Sequence, residues 1–421
     1  MRKFILLFKL LVIIVAFLLL NINSIALDTK SKELQDSYKK VTPSYKISYK
    51  QGIEFYHIYG SSDYNYGYNE GLALKIKYKC LISFAKAFFK NKLEYNKPIA
   101  LNHIKTLEKS YPSFLQRIKG KSDALNINLQ ELVNIDMLYL SMLLKDGGCT
   151  DTAVSSAASK NNQSYLSWNV DTKYWYKIFF SRYFRPPPVV ICDIEGKNKY
   201  VKLSILSSIF GFGLVNEHGL SYVATAVFSN ETAEGLSSLE LNNIAMETCS
   251  TIDEVANLYR SSNRSSGMID LQNLYGLTSN LNTLWSDMSG EVMLIEYNHS
   301  NIFIKKDVLL AETNHYQFLG NKNEGDLDSN LRLNRAYELL EKYNGSIDIK
   351  FFKNVLTCDH GGGLKKDKPD NHDICKHNFK QRFGTICSII IVPKKLVGYY
   401  CPGNPCMVRF RYLDFSEVLV N

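Results

Sequence analysis

Cys149 follows two glycines, in Lys145-Asp146-Gly147-Gly148-Cys149-Thr150. If the Gly148–Cys149 peptide bond is cut, one residue carries both a thiol and a free α-amine. That amine, with an unperturbed pKa near 8, can take the thiol proton without a histidine. The resulting thiolate is a strong nucleophile at neutral pH. Ser167-Trp168-Asn169-Val170-Asp171 and Thr313-Asn314-His315-Tyr316 place a carboxylate, Asp171, and a side-chain amide, Asn314, further along the chain. By residue type alone, both suit the turn at the end of a strand.

Two other groupings compete with this one. Cys358, His360, His372, Cys375 and His377 are zinc-ligand types. Their spacing fits no standard finger, so no metal and no cofactor are expected. A papain-like set of Cys149 with His315 lacks the aromatic flank of that class. Gly361-Gly362-Gly363 precedes no Lys-Ser/Thr step and reads as a loop, not a phosphate cradle.

In order along residues 60 to 415 the chain resembles the acyl-coenzyme A:6-aminopenicillanic-acid acyltransferase family of N-terminal nucleophile hydrolases. The resemblance runs through the Gly-rich Gly60 to Gly71, the junction at Cys149, Trp168 to Asp171 and the turn Gly213 to Gly219. It continues through Asn282 to Glu291, Thr313 to Tyr316, Ser329 to Arg335, Asp359-His360, Ile374 to His377 and Pro402 to Cys406. It implies an α+β fold, a four-layered αββα sandwich, and self-cleavage before Cys149. It also implies Cys149 as nucleophile and its own base, Asp171 beside the new amine, and Asn314 as oxyanion donor. Departures are the second glycine at Gly147-Gly148, Val170 where the family has Trp, and the polar stretch Ser159 to Ser164. The family's active-site arginine is left open among Arg332, Arg382 and the basic Lys376.

The elements that must position these residues fall into two parts. Residues 28 to 51 are polar and Lys-rich and read as a loosely packed lead-in. Gly60 to Gly71 reads as a turn, and Leu72 to Phe89, Ile99 to Ile118 and Leu129 to Leu144 have helical periodicity. After Cys149 come short strand-like runs, including Val154 to Ser159, Tyr165 to Asn169, Ser221 to Ala226 and Glu291 to Tyr297. Leu239 to Thr248, Ile252 to Tyr259 and Leu331 to Tyr343 are helical, and Thr385 to Tyr400 reads as a closing hairpin. Strands and helices without regular βαβ alternation argue for stacked layers.

The start of the chain suggests its compartment. Arg2, Lys3 and Lys9 lead into the apolar run Leu10 to Leu20, then Ser24-Ile25-Ala26. That is the layout of a cleaved secretory signal, residues 1–26, and the run is short for a membrane span of roughly 20 residues. The expected products are a mostly helical part, 27–148, and a strand-rich part, 149–421, held as a self-processed heterodimer. Acceptor patterns at Asn162, Asn230, Asn263, Asn298 and Asn344 agree with a glycosylating lumen. Nine cysteines is an odd number, so in an oxidising compartment the other eight could form up to four disulfides with Cys149 left free, although parity alone does not choose the spare thiol. The net charge of +9 forms no basic stripe, which argues against nucleic acid as a partner. The expectation is a secreted or lysosomal enzyme acting on a small-molecule or lipid acyl-amide, or on a thioester, by hydrolysis or transfer. The alternative is a secreted binding protein that keeps the fold and never cleaves.

Overall fold

In this computed structural model the described residues are 43–145, 148–173, 188–203, 212–229, 231, 233–265, 278–320, 325–362, 372–378 and 383–420. The expected signal at 1–26, Asp146-Gly147, Arg382 and the sequon residues Asn230 and Thr232 lie outside them.

Two antiparallel-rich sheets form the centre. The first runs β1 (Tyr45–Lys50), β2 (Ile53–Gly60), β5 (Val189–Ile194), β6 (Tyr200–Leu203), β7 (Phe212–Asn216), β8 (Ser221–Ser229), β9 (Thr278–Ser286), β10 (Val292–Tyr297) and β11 (Ile302–Asp307). Among these described strands, β2 and β5 alone pair in parallel. The second runs β12 (Leu309–Glu312), β3 (Gly148–Val154), β4 (Tyr165–Lys173), β14 (Phe383–Val392), β15 (Val397–Cys401) and β16 (Arg411–Asp414), with β13 (His377–Asn378) on the end of β14. β3 and β4 stack against β8 and β9. β3 is buried at every position, as a strand covered on both faces must be.

Helices cover both outer faces. α1 (Asp63–Ala73), α2 (Lys75–Phe88), α3 (Lys90–Ser110), α4 (Pro112–Leu125) and α5 (Leu129–Lys145) precede β3, and α1 packs on β2. α6 (Ser238–Thr248) packs on β7 and β9, and α7 (Ile252–Ser261) on β10. α8 (Leu327–Lys342) lies on β12 and β3, on the far side of the second sheet. The result is the expected αββα layering.

Four local expectations are corrected. The end of the lead-in is not loose: Tyr45 to Lys50 pairs with β2 as an edge strand. Gly60 to Gly71 is mostly helix, capped by Ser62, whose side chain accepts from Asn65 N–H. Its glycines serve contact with α4, because a Cβ on Gly67 would stand 1.8 Å from Arg117 O and one on Gly71 would stand 2.7 Å from Ala124 Cβ. The hairpin Thr385 to Tyr400 does not close the fold, since β16 adds to it. The helical periodicity of Ile99 to Ile118 also spans a break at Tyr111-Pro112, where α3 ends and Pro112 opens α4.

Buried charge ties the helical part to the first sheet. Glu70 on α1 meets Lys121 at 2.7 Å and Lys202 at 2.8 Å. Burial alone would raise its pKa, but the two ammonium groups hold it at about 2. Arg117 reaches Asp63 at 2.7 Å and Glu247 at 2.6 Å. No helix among the described residues is long and apolar enough to cross a membrane.

Candidate active site

Cys149 is the second residue of β3, only 7% exposed, and its register partner on β4 is Val170. The preceding Gly148 pairs with Asp171. Neighbouring antiparallel strands therefore bring the Asp171 carboxyl beside the peptide bond expected to break. A Cβ on Gly148 would lie 3.5 Å from Asp171 Oδ2 and 3.2 Å from Lys376 Nζ. Glycine leaves room for both groups.

Asn314 follows β12, the other neighbour of β3. Its Oδ1 accepts the Cys149 main-chain N–H at 2.8 Å and Arg332 Nη2–H at 2.9 Å. Its Nδ2 donates to Ala226 O at 2.9 Å. Asn314 thus faces Cys149 with its oxygen. One Nδ2 hydrogen goes to Ala226, and the amide has a second.

Arg332, on the buried face of α8, joins the parts. It donates to Cys149 O and Thr150 Oγ1, to Asn314, and to Asp328 Oδ2 at 2.9 Å. Lys376 Nζ reaches Asp328 Oδ2 at 2.6 Å and lies 4.0 Å from Asp171 Oδ2. Thr385 donates to Asp171 Oδ1 at 2.7 Å from beside an irregularity in β14 that breaks the register between Thr385 and Cys387. Of the candidates for the arginine, Arg332 stands at Cys149 with Lys376 beside it. Arg382 lies outside the described residues.

The electrostatics follow from burial and these partners. Burial pushes the Cys149 thiol up to about 12; Asp151 and Asp171 add to the rise, while Trp168 and Arg332 oppose it. Burial likewise raises Asp171 to about 6 despite Lys376 and Arg332. Asp328 would also rise on burial, but Arg332 and Lys376 hold it at about 2. With the peptide intact the sulfur is a neutral thiol flanked by an ionised Arg332–Asp328 pair.

The loop carrying Asn314 is fixed from below. Glu296 on β10 accepts N–H groups of Gln317, Phe318 and Leu319 at 2.7, 2.9 and 3.1 Å. Asn282 Nδ2 donates to His315 O at 3.1 Å. His315 Nδ1 lies 2.7 Å from Ser329 Oγ and 3.3 Å from Thr313 Oγ1, so the ring is tied to α8 and the loop.

The metal-type residues group differently from the sequence reading. His372 Nδ1 lies 3.5 Å from Asp328 Oδ1, in the Cys149 site. Cys358 Sγ, 3.9 Å from Val355 O, is near enough to Cys406 to interact with it but is not among the converging ligand atoms. His360, Cys375 and His377 come together with Cys406, which sequence separation had concealed. All nine cysteines stand unbridged.

The stacked sheets and the outer helices form the sandwich of the N-terminal nucleophile hydrolases. A family model for acyl-coenzyme A:6-aminopenicillanic acid acyl-transferase matches residues 160–406. The chain belongs to that family, and it is an enzyme of the amidohydrolase and acyltransferase class. The matched span begins beyond Cys149 and contains Asp171, Asn314, Arg332 and Lys376. Among solved structures, the chain is similar to a mutant of conjugated bile acid hydrolase from Clostridium perfringens. The identity is 14% and the TM-score 0.40, over 64% of this chain and 93% of that one. It is similar also to penicillin V acylase from Agrobacterium tumefaciens, at 13% identity and TM-score 0.40, over 65% of this chain and 88% of that one. No curated protein matches it significantly in sequence.

Proposed function

We propose that the chain is a precursor that cuts itself between Gly148 and Cys149, and that Cys149 then hydrolyses or transfers acyl groups held on nitrogen. The observation that carries this reading is the polar frame around one peptide unit. Asn314 Oδ1 holds the Cys149 nitrogen, Arg332 holds its carbonyl, and Asp171 stands beside Gly148.

In the first reaction the Cys149 sulfur adds to the Gly148 carbonyl carbon. The peptide C–N bond breaks, the thiol proton passes to the departing nitrogen, and a thioester forms. Water then opens the thioester, leaving a Gly148 carboxylate and a free thiol. Asp171, poised near pH 6 and in contact with Thr385, is the group able to exchange a proton beside that bond.

In the second reaction the Cys149 α-amine takes the thiol proton as sulfur attacks the substrate amide. The second Asn314 N–H is the donor for the oxyanion. Collapse breaks the substrate C–N bond, and the α-ammonium returns the proton to the leaving amine. Water as acceptor gives hydrolysis, and an amine gives transfer. The residues require no cofactor in either step.

The substrate class is a small-molecule or lipid acyl-amide, and the compartment secretory or lysosomal, with residues 27–148 and 149–421 retained as a heterodimer. Exposed acceptor residues Asn162, Asn263 and Asn344 support a glycosylating route. N-terminal sequencing of the mature protein tests the proposal. A fragment beginning at Cys149 is the expected result. An intact chain that leaves acyl-amides untouched would instead favour the binding-protein alternative.

A further inference from the structure

Cys375 and His377 are separated by one residue on the approach to β13, so their side chains leave the backbone on the same side, as along a strand. Lys376 between them projects the other way, to Asp328. Cys406, in the turn after β15, and His360, just beyond the Arg335–Asp359 pair, complete a group from three separate segments.

Their donor atoms converge. Cys375 Sγ lies 3.6 Å from Cys406 Sγ and 3.5 Å from His377 Nε2, and His377 Nε2 lies 3.1 Å from Cys406 Sγ. One ligand atom from each of the four residues falls within 4.8 Å of the others. Tetrahedral zinc, with Zn–S about 2.3 Å and Zn–N about 2.0 Å, separates its ligand atoms by about 3.3 to 3.8 Å. His360 Nε2 is buried without a hydrogen-bond partner among the described residues.

The surroundings suit a metal as well. Asn404 Nδ2 donates to Lys376 O at 2.9 Å and stands 3.9 Å from Cys375 Sγ, where it can support a thiolate. Cys375 N–H donates to Asp359 O at 3.1 Å, and Asp359 is held by two Arg335 contacts at 3.1 and 2.8 Å. Cys406 is exposed, which gives an ion a way in.

We infer that His360, Cys375, His377 and Cys406 form a structural zinc site. Two thiolates and two neutral imidazoles balance a divalent cation, and binding releases both thiol protons to solvent. Four protein ligands leave no position for a reacting water, so the ion's role is to fix the chain. By holding Cys375 and His377 it sets Lys376, whose ammonium lies 2.6 Å from Asp328 in the Cys149 site.

The test is metal analysis of the full-length chain purified without chelator, followed by cobalt(II) replacement and absorption spectroscopy. The expected result is about one zinc per chain and, with cobalt, thiolate charge-transfer and tetrahedral visible bands. Cys406→Ser and His360→Ala should each lower zinc retention against a chelator by about tenfold or more, while Cys80→Ser leaves it unchanged. If either ligand variant does not fold, the cobalt spectrum of the parent decides. Folded parent protein without zinc and without thiolate–cobalt bands overturns the inference, as does a Cys375–Cys406 disulfide in metal-free protein. None of these readouts involves turnover, so they stand or fall apart from the proposed amidase activity.

Discussion

The main-chain nitrogen of Cys149 donates to the side-chain oxygen of Asn314 across 2.8 Å, joining residues 165 positions apart. In the uncut chain that nitrogen is an amide; after cleavage it would be the catalytic amine, already held in place. In the proposed mechanism Asn314 has two separable duties, acceptor for the nitrogen and donor to the oxyanion. Asn314→Asp keeps an acceptor and loses the donor, so it should still self-cleave while turnover falls by about 10²–10³. Asn314→Leu should lose both. Equal turnover by Asn314→Asp and the parent would remove Asn314 from the oxyanion role.

Cys149→Ala should remain a single chain, and acyl-amide turnover should fall by more than about a thousandfold. Mass analysis alongside an amide-release assay measures both. Processing that continues in this variant would rule out self-cleavage by the thiol.

Arg332 is tied to Cys149 O, Asn314 and Asp328 at once. Arg332→Leu leaves Asp328 short of a buried partner and should cost about 3–5 kcal/mol of stability, softened by Lys376. Arg332→Lys retains the charge but not the planar fork. It should melt closer to the parent yet lose about 10²-fold in processing or turnover. Unimpaired activity in Arg332→Lys would show that only the charge matters.

Stability should be greater at pH 5 than at pH 7.5. Burial raises Asp171 to about 6 and Glu240 to about 7, and pushes Asp151, Glu296 and Glu312 upward as well. Unfolded carboxyls release their protons near pH 4, so between about pH 4 and 7 the folded chain binds more protons, and stability falls as pH rises. His103, held down to about 4 by burial, and His315, also lowered, act in the opposite sense between about pH 4 and 6.5. Asp328 and Glu70, at about 2, lose their contributions only below about pH 4. Calorimetry at the two pH values decides, and Glu240→Gln should flatten the slope. A higher melting temperature at pH 7.5 would contradict this balance.

Gly67→Ala should destabilise the fold by about 3 kcal/mol or more, because the added carbon would meet Arg117 O and force α1 from α4. Gly196→Ala meets no atom within 4 Å, and only its positive φ of 77° should count, at about 1–2 kcal/mol. Denaturant titration compares the two.

The sequence named Cys149, Asp171 and Asn314 as candidates only through the ordered resemblance, because by residue type alone Asp171 and Asn314 suit a strand-end turn equally well. Periodicity located most helices and strands, because 3.6- and 2-residue repeats are local. Glycine use in Gly60 to Gly71 was ambiguous, since close helix contact and a turn both favour a missing Cβ. Tertiary structure alone selected Arg332, which becomes distinct from other basic residues only when α8 lies on β3. It alone brought Cys406 to His360, Cys375 and His377, and set Lys376 between that cluster and Asp171. Those groupings depend on which strands pair and which faces stack, and such long-range choices are fixed by burial of the whole core, not by spacing along the chain.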